Sequence, residues 1–273
     1  MKGFLLLCWP VAGVFLALYS FHVVEGLPTG GSRKIPSSGG EPIPFTDFPT
    51  EHPQWSPDGR RIVFDADTGA SIKMIAAEGG EPFGILPDSI RIRSGGLPCW
   101  SPSGSHIAFK DGAALSLWLY DMHTGAVERI FHQEGLVPIP GCWSRDGKSI
   151  LIALMDKATR VSTMWSISAD GRERRQITGH RDGFYRYLAL SPDGSLLVYG
   201  ALEGKKVGLW IMPAEGGASI PLAVSPEYHN QCPAWSPDGT RLAYASGRTG
   251  RGDIYIMKPD IAAIKEALGL SAR

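Results

Sequence analysis

The chain has 273 residues, with 27 Lys and Arg against 27 Asp and Glu and 43% hydrophobic residues. That balance excludes a highly charged disordered chain and argues against a nucleic-acid binder, which needs a cationic surplus to displace phosphate counterions. The 34 glycines and 21 prolines disfavour a helical bundle and predict many tight turns, since average usage of the two together is about 12%.

The chain opens Met1-Lys2-Gly3 and then runs without a charge from Phe4 to Val24. A basic residue, an apolar core and small residues after it read as a secretory signal peptide over residues 1–26. The length of the run keeps an uncleaved N-terminal membrane anchor as the competing reading. Pro10 and the lack of basic residues after the run favour cleavage, and Cys8 lies too early for a lipoprotein signal. Either way the body of the protein is exported. Export permits disulfides, and the body holds Cys99, Cys142 and Cys232. Cys99 and Cys142 occupy the same place in successive repeats, so they are expected to sit too far apart to bridge and to serve as small buried apolar residues.

Residues 27–38 form a linker. A repeat then occupies residues 39–259. Trp55-Ser56-Pro57-Asp58-Gly59 recurs as Trp100-Ser101-Pro102-Ser103-Gly104 and as Trp143-Ser144-Arg145-Asp146-Gly147. It recurs twice more, as Leu190-Ser191-Pro192-Asp193-Gly194 and Trp235-Ser236-Pro237-Asp238-Gly239. The spacing of about 45 residues is that of a propeller blade. Proline presets the turn, Asp bonds its own backbone and Gly takes the left-handed position. This chemistry joins two antiparallel strands. Past each glycine, Ile62, Ile107, Ile150, Leu197 or Leu242 is followed two residues later by Phe64, Phe109, Ile152, Tyr199 or Tyr244, the period of a strand with one apolar face. A third strand follows at 72–75, 117–120, 164–167, 209–212 and 254–257. Glycine turns and a short fourth strand complete the first four units.

The fifth unit lacks a fourth strand. Residues 260–273 form a tail, helical from Ile261 with Asp260 as N-cap. Gly39-Gly40-Glu41-Pro42 matches Gly79-Gly80-Glu81-Pro82, so residues 43–46 are expected to supply the missing outer strand. The expectation is an all-β propeller of five four-stranded blades closed by that N-terminal strand. A six-bladed parent shortened by one repeat would leave a similar pattern.

The Trp-Ser-Pro-Asp-Gly-x-x-Ile-x-Phe unit at 55–64, with Ile254-Tyr255-Ile256-Met257, resembles the propeller repeat of the TolB family. Residues 172–178, ending Arg175-Gln176-Ile177-Thr178, are similar to that family's outer strand. The resemblance covers about residues 39–259 and implies export, a propeller and a protein-binding role, with the peptidoglycan-associated lipoprotein Pal as the family's partner. TolB carries an α/β domain ahead of its propeller, and residues 27–38 are too few to form one. Similar repeats occur in the propellers of prolyl-peptidase-like enzymes and of oligogalacturonate lyases.

Catalytic motifs are absent from the sequence. No Gly-x-Ser-x-Gly elbow occurs. Gly141 and Gly147 enclose five residues where a phosphate loop needs four. Arg251-Gly252-Asp253 falls in the turn before a strand, and Arg172-Glu173-Arg174-Arg175 reads as a solvated edge. Asp58, Asp193 and Asp238 are explained by their turns, and Asp65-x-Asp67-x-Gly69 is an incomplete calcium loop. The loops leading into the innermost strands converge on the channel mouth. They hold Glu51, His52, Arg91, Arg93, His180, Arg181, Tyr185, Arg186, Tyr228, His229 and Gln231.

Two uses of that mouth stand out. Tyr185, Tyr228 and the arginines would anchor a partner peptide. Alternatively His52, His180, His229 and Gln231 would hold a metal, as the lyase resemblance implies, although no ligand spacing within one segment supports it. The sequence reading is thus a monomeric, exported, non-catalytic protein-interaction module without cofactor or metal. It binds a protein partner, Pal-like by resemblance, and no nucleic acid, and touches the membrane only through an uncleaved N-terminus. A carbohydrate-active lyase or hydrolase is the alternative, and a piece of a larger propeller protein the third reading.

Overall fold

Each repeat folds its turn in the same register. Trp55 pairs with Ile62, Trp100 with Ile107, Trp143 with Ile150, Leu190 with Leu197 and Trp235 with Leu242. The structure, a computed structural model, describes residues 14–19, 21–24, 33–36, 43–44, 46, 48, 50–66, 71–87, 90, 92, 96–111, 115–178, 183, 185–250 and 253–270.

The turn chemistry is that expected from the residues. Ser56 Oγ donates to Asp58 Oδ1 at 2.6 Å, which also accepts the Arg60 N–H at 3.0 Å. Gly59 takes φ 69°. Ser144–Asp146, Ser191–Asp193 and Ser236–Asp238 repeat the bond, whereas Ser103, standing where the others have Asp, meets the Ser101 hydroxyl at 3.2 Å and the Ser105 hydroxyl at 2.7 Å, and accepts the Ser105 N–H at 3.3 Å. Successive turns touch: Gly104 lies against the ring of Pro57, Gly147 against Pro102 and Gly239 against Pro192.

These bonds favour the ionised aspartates. The Ser236 hydroxyl, followed by the backbone and hydroxyl of Thr240, holds Asp238 down to about 2. Bonds from Ser56 and Ser144 likewise lower Asp58 and Asp146. A carboxylate depressed in the folded state contributes stability above its unfolded pKa, about 4, and loses it as pH falls through the folded value. The melting temperature is therefore expected to fall between about pH 4 and pH 2, less steeply in Asp238→Asn. A calorimetric pH series checks this.

In chain order, β1 (Val14–Tyr19), β2 (Phe21–Val24), β3 (Arg33–Pro36) and β4 (Ile43–Pro44) make an N-terminal sheet. The first repeat gives β5 (Thr50–Trp55), β6 (Arg61–Ala66), β7 (Ser71–Ala76) and β8 (Phe83–Gly84). The second gives β9 (Cys99–Trp100), β10 (His106–Asp111), β11 (Ser116–Asp121) and β12 (Val127–His132). The third gives β13 (Leu136–Trp143), β14 (Ser149–Asp156), β15 (Ser162–Ser168) and β16 (Arg174–Gln176). The fourth gives β17 (Tyr185–Leu190), β18 (Leu196–Glu203), β19 (Lys206–Pro213) and β20 (Ile220–Ala223). The fifth gives β21 (Asn230–Trp235), β22 (Leu242–Ser246) and β23 (Asp253–Met257). Among the described residues these form five four-stranded antiparallel sheets and one three-stranded sheet. The chain is an all-β propeller with one short helix, α1 (Ile261–Ala267).

One expectation is corrected. The outer strand Ile43–Pro44 pairs with Arg33–Pro36, not with the last blade. It is an outer strand, but of the N-terminal sheet, whose β1 lies against both β21 and β5. A partner a few residues upstream costs far less loop-closure entropy than one at the far end of the chain. Val14–Tyr19 and Phe21–Val24, within the segment read as a signal peptide, pair as antiparallel strands. No described helix is long and apolar enough to cross a membrane.

The core lies in layers between neighbouring blades. The motif tryptophans staple these layers. Three of the four indole N–H groups reach the backbone carbonyl just before the preceding blade's motif: Trp100 to Gln54 at 3.3 Å, Trp143 to Cys99 at 3.1 Å and Trp235 to Ala189 at 3.2 Å, whereas the buried Trp55 indole N–H has no such bond among the described residues. Leu190 has no indole to offer, and a polar groove of about 900 Å³ opens at that seam, lined by Leu190, Arg145 and Glu215. The helix closes the layer between the fourth and fifth blades. Asp260 caps it by accepting the Ala263 N–H at 3.0 Å, Ile264 is buried in the layer, and Lys265 bonds Asp193 at 2.8 Å.

Candidate functional site

The innermost strands face one another around a cavity of about 610 Å³, lined by residues of β5, β9, β13, β17 and β21. Four of the five repeats bend their inner chain at one position, three residues before the motif head. His52 (φ 50°), Leu97 (φ 48°), Tyr187 (φ 57°) and Cys232 (φ 53°) all take the left-handed conformation. Ladder irregularities between Glu51 and Gln54, Arg186 and Ala189, and Gln231 and Ala234 mark the same place. Pro140 holds it in the third repeat, where the irregularity falls between Pro140 and Cys142, because the proline ring forbids positive φ. Such bulges re-aim side chains, here into the channel.

One end of the channel is ionisable. Asp65 is fully buried behind the wall. His52 Nδ1 donates to its Oδ2 at 2.8 Å, Gly96 N–H donates to Oδ1 at 2.9 Å and Leu97 N–H to Oδ2 at 3.1 Å. A side chain at Gly96 would stand 2.8 Å from Ile72 Cδ1 and 2.9 Å from Asp65 Oδ1, so only glycine admits this approach. Asp65 therefore orients the His52 ring and ties the first blade to the second. Lys110 occupies the equivalent place in the second blade and lines the channel. Burial lowers its pKa below that of an ordinary lysine; the nearby Asp65 carboxylate opposes the shift and the Arg186 guanidinium adds to it.

The sequence-derived candidates part company here. Glu51, His52 and Arg186 line the channel together. Tyr185 is buried instead, its ring edge-on to Tyr199 at 5.5 Å, because it leads the core-facing side of β17. Tyr228 lies beneath Arg248, 5.8 Å from the ring centroid, and the His229 Nδ1 accepts the Val207 N–H at 3.0 Å. Gln231 is buried. Arg91, Arg93, His180 and Arg181 lie outside the described residues, as do Asp67 and Gly69 of the calcium-like pattern and Arg251-Gly252. His52 and His229 are thus committed to different neighbours. No group of three or more His, Cys, Asp or Glu among the described residues is placed to hold a metal. Cys99, Cys142 and Cys232 are free thiols, and burial pushes Cys142 up to about 12.

Asp65 and Lys110 escaped attention in the sequence, yet a signal was present. Three residues past the first apolar strand position the repeats read Asp65, Lys110, Ala153, Gly200 and Ala245. Three blades fill that place with small apolar residues, so the fold does not require a charge there.

Fold and repeat together define a TolB-like β-propeller. No protein-family profile matches the chain. It is 26% identical over 219 residues to the uncharacterized peptidase YuxL of Bacillus subtilis, covering 75% of this chain and 31% of that protein. It is 31% identical over 115 residues to the Tol-Pal system protein TolB of Anaeromyxobacter dehalogenans, covering 42% of this chain and 25% of that protein. Among solved structures, a candidate TolB from Agrobacterium tumefaciens superimposes with a TM-score of 0.67 at 20% identity over 79% of each chain. The oligogalacturonate lyase of Vibrio parahaemolyticus gives 0.59 at 12% identity over 92% of each. The chain spans about a third of YuxL and a quarter of that TolB.

Proposed function

We propose that this chain is an exported TolB-like propeller that acts as a non-catalytic protein-interaction module of the cell envelope, with a Pal-like lipoprotein as partner. The observation that carries the reading is the channel: an apolar wall of bent inner strands with ionisable groups gathered at one end, a shape suited to a partner's inserted segment. The likeness to the Anaeromyxobacter TolB supports the same reading. Export follows from the apolar N-terminal run, either as a cleaved signal or as an anchor.

A photo-crosslinking residue at Leu97, compared with one at the exposed outer-edge Arg174, tests it in the producing cell. The expected result is one envelope protein trapped from Leu97 and none from Arg174, with the chain recovered from the envelope fraction. Recovery from the cytoplasm, or no product from Leu97, would overturn it.

The His52–Asp65 pair beside Lys110 and Arg186 favours a second reading, acid–base chemistry on an anionic sugar. Under the main reading, trigalacturonate incubated with the protein yields no unsaturated product. A product formed by the wild type and lost in His52→Ala would replace that reading with the lyase.

A further inference from the structure

We infer that the outer edge of β23 is a docking strand, on which a partner protein lays an extended segment as the fourth strand of the fifth blade. This surface is separate from the channel, which β21 rather than β23 lines in that blade. It goes beyond the reading above, and either can fail without the other.

The chain's own blades say what covers such an edge. β7 pairs with β8, β11 with β12, β15 with β16 and β19 with β20. Among the described residues β23 pairs with β22 alone. Its outer row of backbone N–H and C=O groups is therefore a template for one more antiparallel strand. Proline, a bulge or an inward-pointing charge commonly blunts an edge of this kind. Between its ends Asp253–Met257 has none of them, and its register with β22 runs without irregularity.

Burial follows the same division. The third-strand place held by Ile256 is held by Met74, Leu119, Ser166 and Ile211 in the other blades. Met74 is 0% exposed, Leu119 7% and Ile211 0%, whereas Ile256 is 54% exposed. Apolar residues of the fourth strand, or just past it, share the core cluster of each buried counterpart: Ile85 with Met74, Ile130 and Phe131 with Leu119, Ile220 and Leu222 with Ile211. An added strand with apolar residues facing Ile254 and Ile256 would supply the same cover.

Charge sets the direction of the newcomer. Asp253 and Lys258 are exposed at opposite ends of the edge, and the Thr249 hydroxyl donates to Asp253 without cancelling its charge. An antiparallel strand is favoured with an acidic residue at its start, beside Lys258, and a basic one at its end, beside Asp253. A second copy fits less well. A two-fold axis between identical edges keeps every residue on its own face. Centred on Tyr255 it sets Asp253 against Met257, and centred on Ile256 it sets Lys258 against Ile254.

The probe is the labelled peptide Glu-Thr-Ile-Thr-Val-Lys, titrated into the full-length chain and followed by fluorescence anisotropy. It is expected to bind. Its twin with the end charges exchanged should bind about fivefold weaker or more, as two cross-strand pairs turn repulsive. Two further twins are N-methylated at alternate residues, one in each phase. The twin whose blocked groups face β23 should lose binding and the other should keep it. Ile256→Asn should weaken the parent peptide about tenfold and leave the melting temperature unchanged, because the side chain is exposed in the free chain. Failure of the parent peptide to bind overturns the inference, as does binding by both methylated twins or full retention in Ile256→Asn. A concentration-dependent dimer abolished by Ile256→Asn would replace the partner strand with a second copy. Protection of every β23 amide from hydrogen exchange in the free chain would show the edge already filled by this chain's own residues, and also overturns it. A partner trapped from Leu97 in the channel would stand through any of these outcomes.

Discussion

Replacing Trp143 with alanine is expected to lower the unfolding free energy by about 3–5 kcal/mol, the range for a buried aromatic truncated to alanine. Trp143 is 6% exposed and packs in the layer between the second and third blades with Leu117, Ile150 and Ile167. Its indole N–H also satisfies the Cys99 carbonyl at 3.1 Å. The variant therefore opens a cavity and strands a buried acceptor together. Trp143→Phe separates the two effects: it keeps most of the apolar area and loses only the bond, at about 1–2 kcal/mol. Chemical denaturation of both variants checks the order. The chain itself carries the natural comparison, since Leu190 holds the same place one blade later and leaves a groove beside it.

Asp65→Ala is expected to cost about 3 kcal/mol or more. The Gly96 N–H is buried beneath Asp65, and removing the carboxylate leaves it, the Leu97 N–H and the His52 ring without this acceptor. Each buried orphaned donor costs roughly 1–3 kcal/mol. Asp65→Asn keeps the shape and one acceptor oxygen, but its amide turns a donor toward the donors of Leu97 or His52. It should fall between the wild type and Asp65→Ala. The measurement is again denaturation, paired with hydrogen exchange at the Gly96 amide, which is expected to quicken in Asp65→Ala before the rest of the second blade does. An effect spread evenly over all blades would show that Asp65 does not act as the local tie.

The architecture was legible in the sequence because its causes are local. A Ser-Pro-Asp-Gly turn specifies a hairpin from four adjacent residues, and the apolar pair that follows specifies which face is buried. Trp55 to Ile62 is the same short-range registration as Trp235 to Leu242. The glycine turns were equally local: Gly79, Gly80, Gly125, Gly171, Gly216 and Gly217 all take positive φ. Asp260 announced the helix by its capping chemistry alone. The pairing of Ile43–Pro44 was less legible. Its glycine-led sequence marks an outer strand, and nothing local says which sheet receives it.

The candidate site was legible only in part. Glu51, His52 and Arg186 were found because they lie on the loops and strand starts that any propeller brings to its axis. Tyr185 and His229 sit on the same segments but turn elsewhere, one into a blade layer and the other onto the Val207 amide. A strand alternates its faces residue by residue, so neighbours on one segment need not share a destination. Asp65 and Lys110 lie on second strands, where an isolated charge reads as a surface residue.

The sequence by itself determined the repeat, the hairpins, the blade spacing and the absence of the common catalytic motifs, because each is written in residues a few positions apart. Only the tertiary structure decided that Asp65 holds His52 and Gly96, and that Lys110 and Arg186 share one end of the channel. Those residues come from different blades, and their meeting depends on how sheets pack around an axis, a long-range outcome that no single segment encodes.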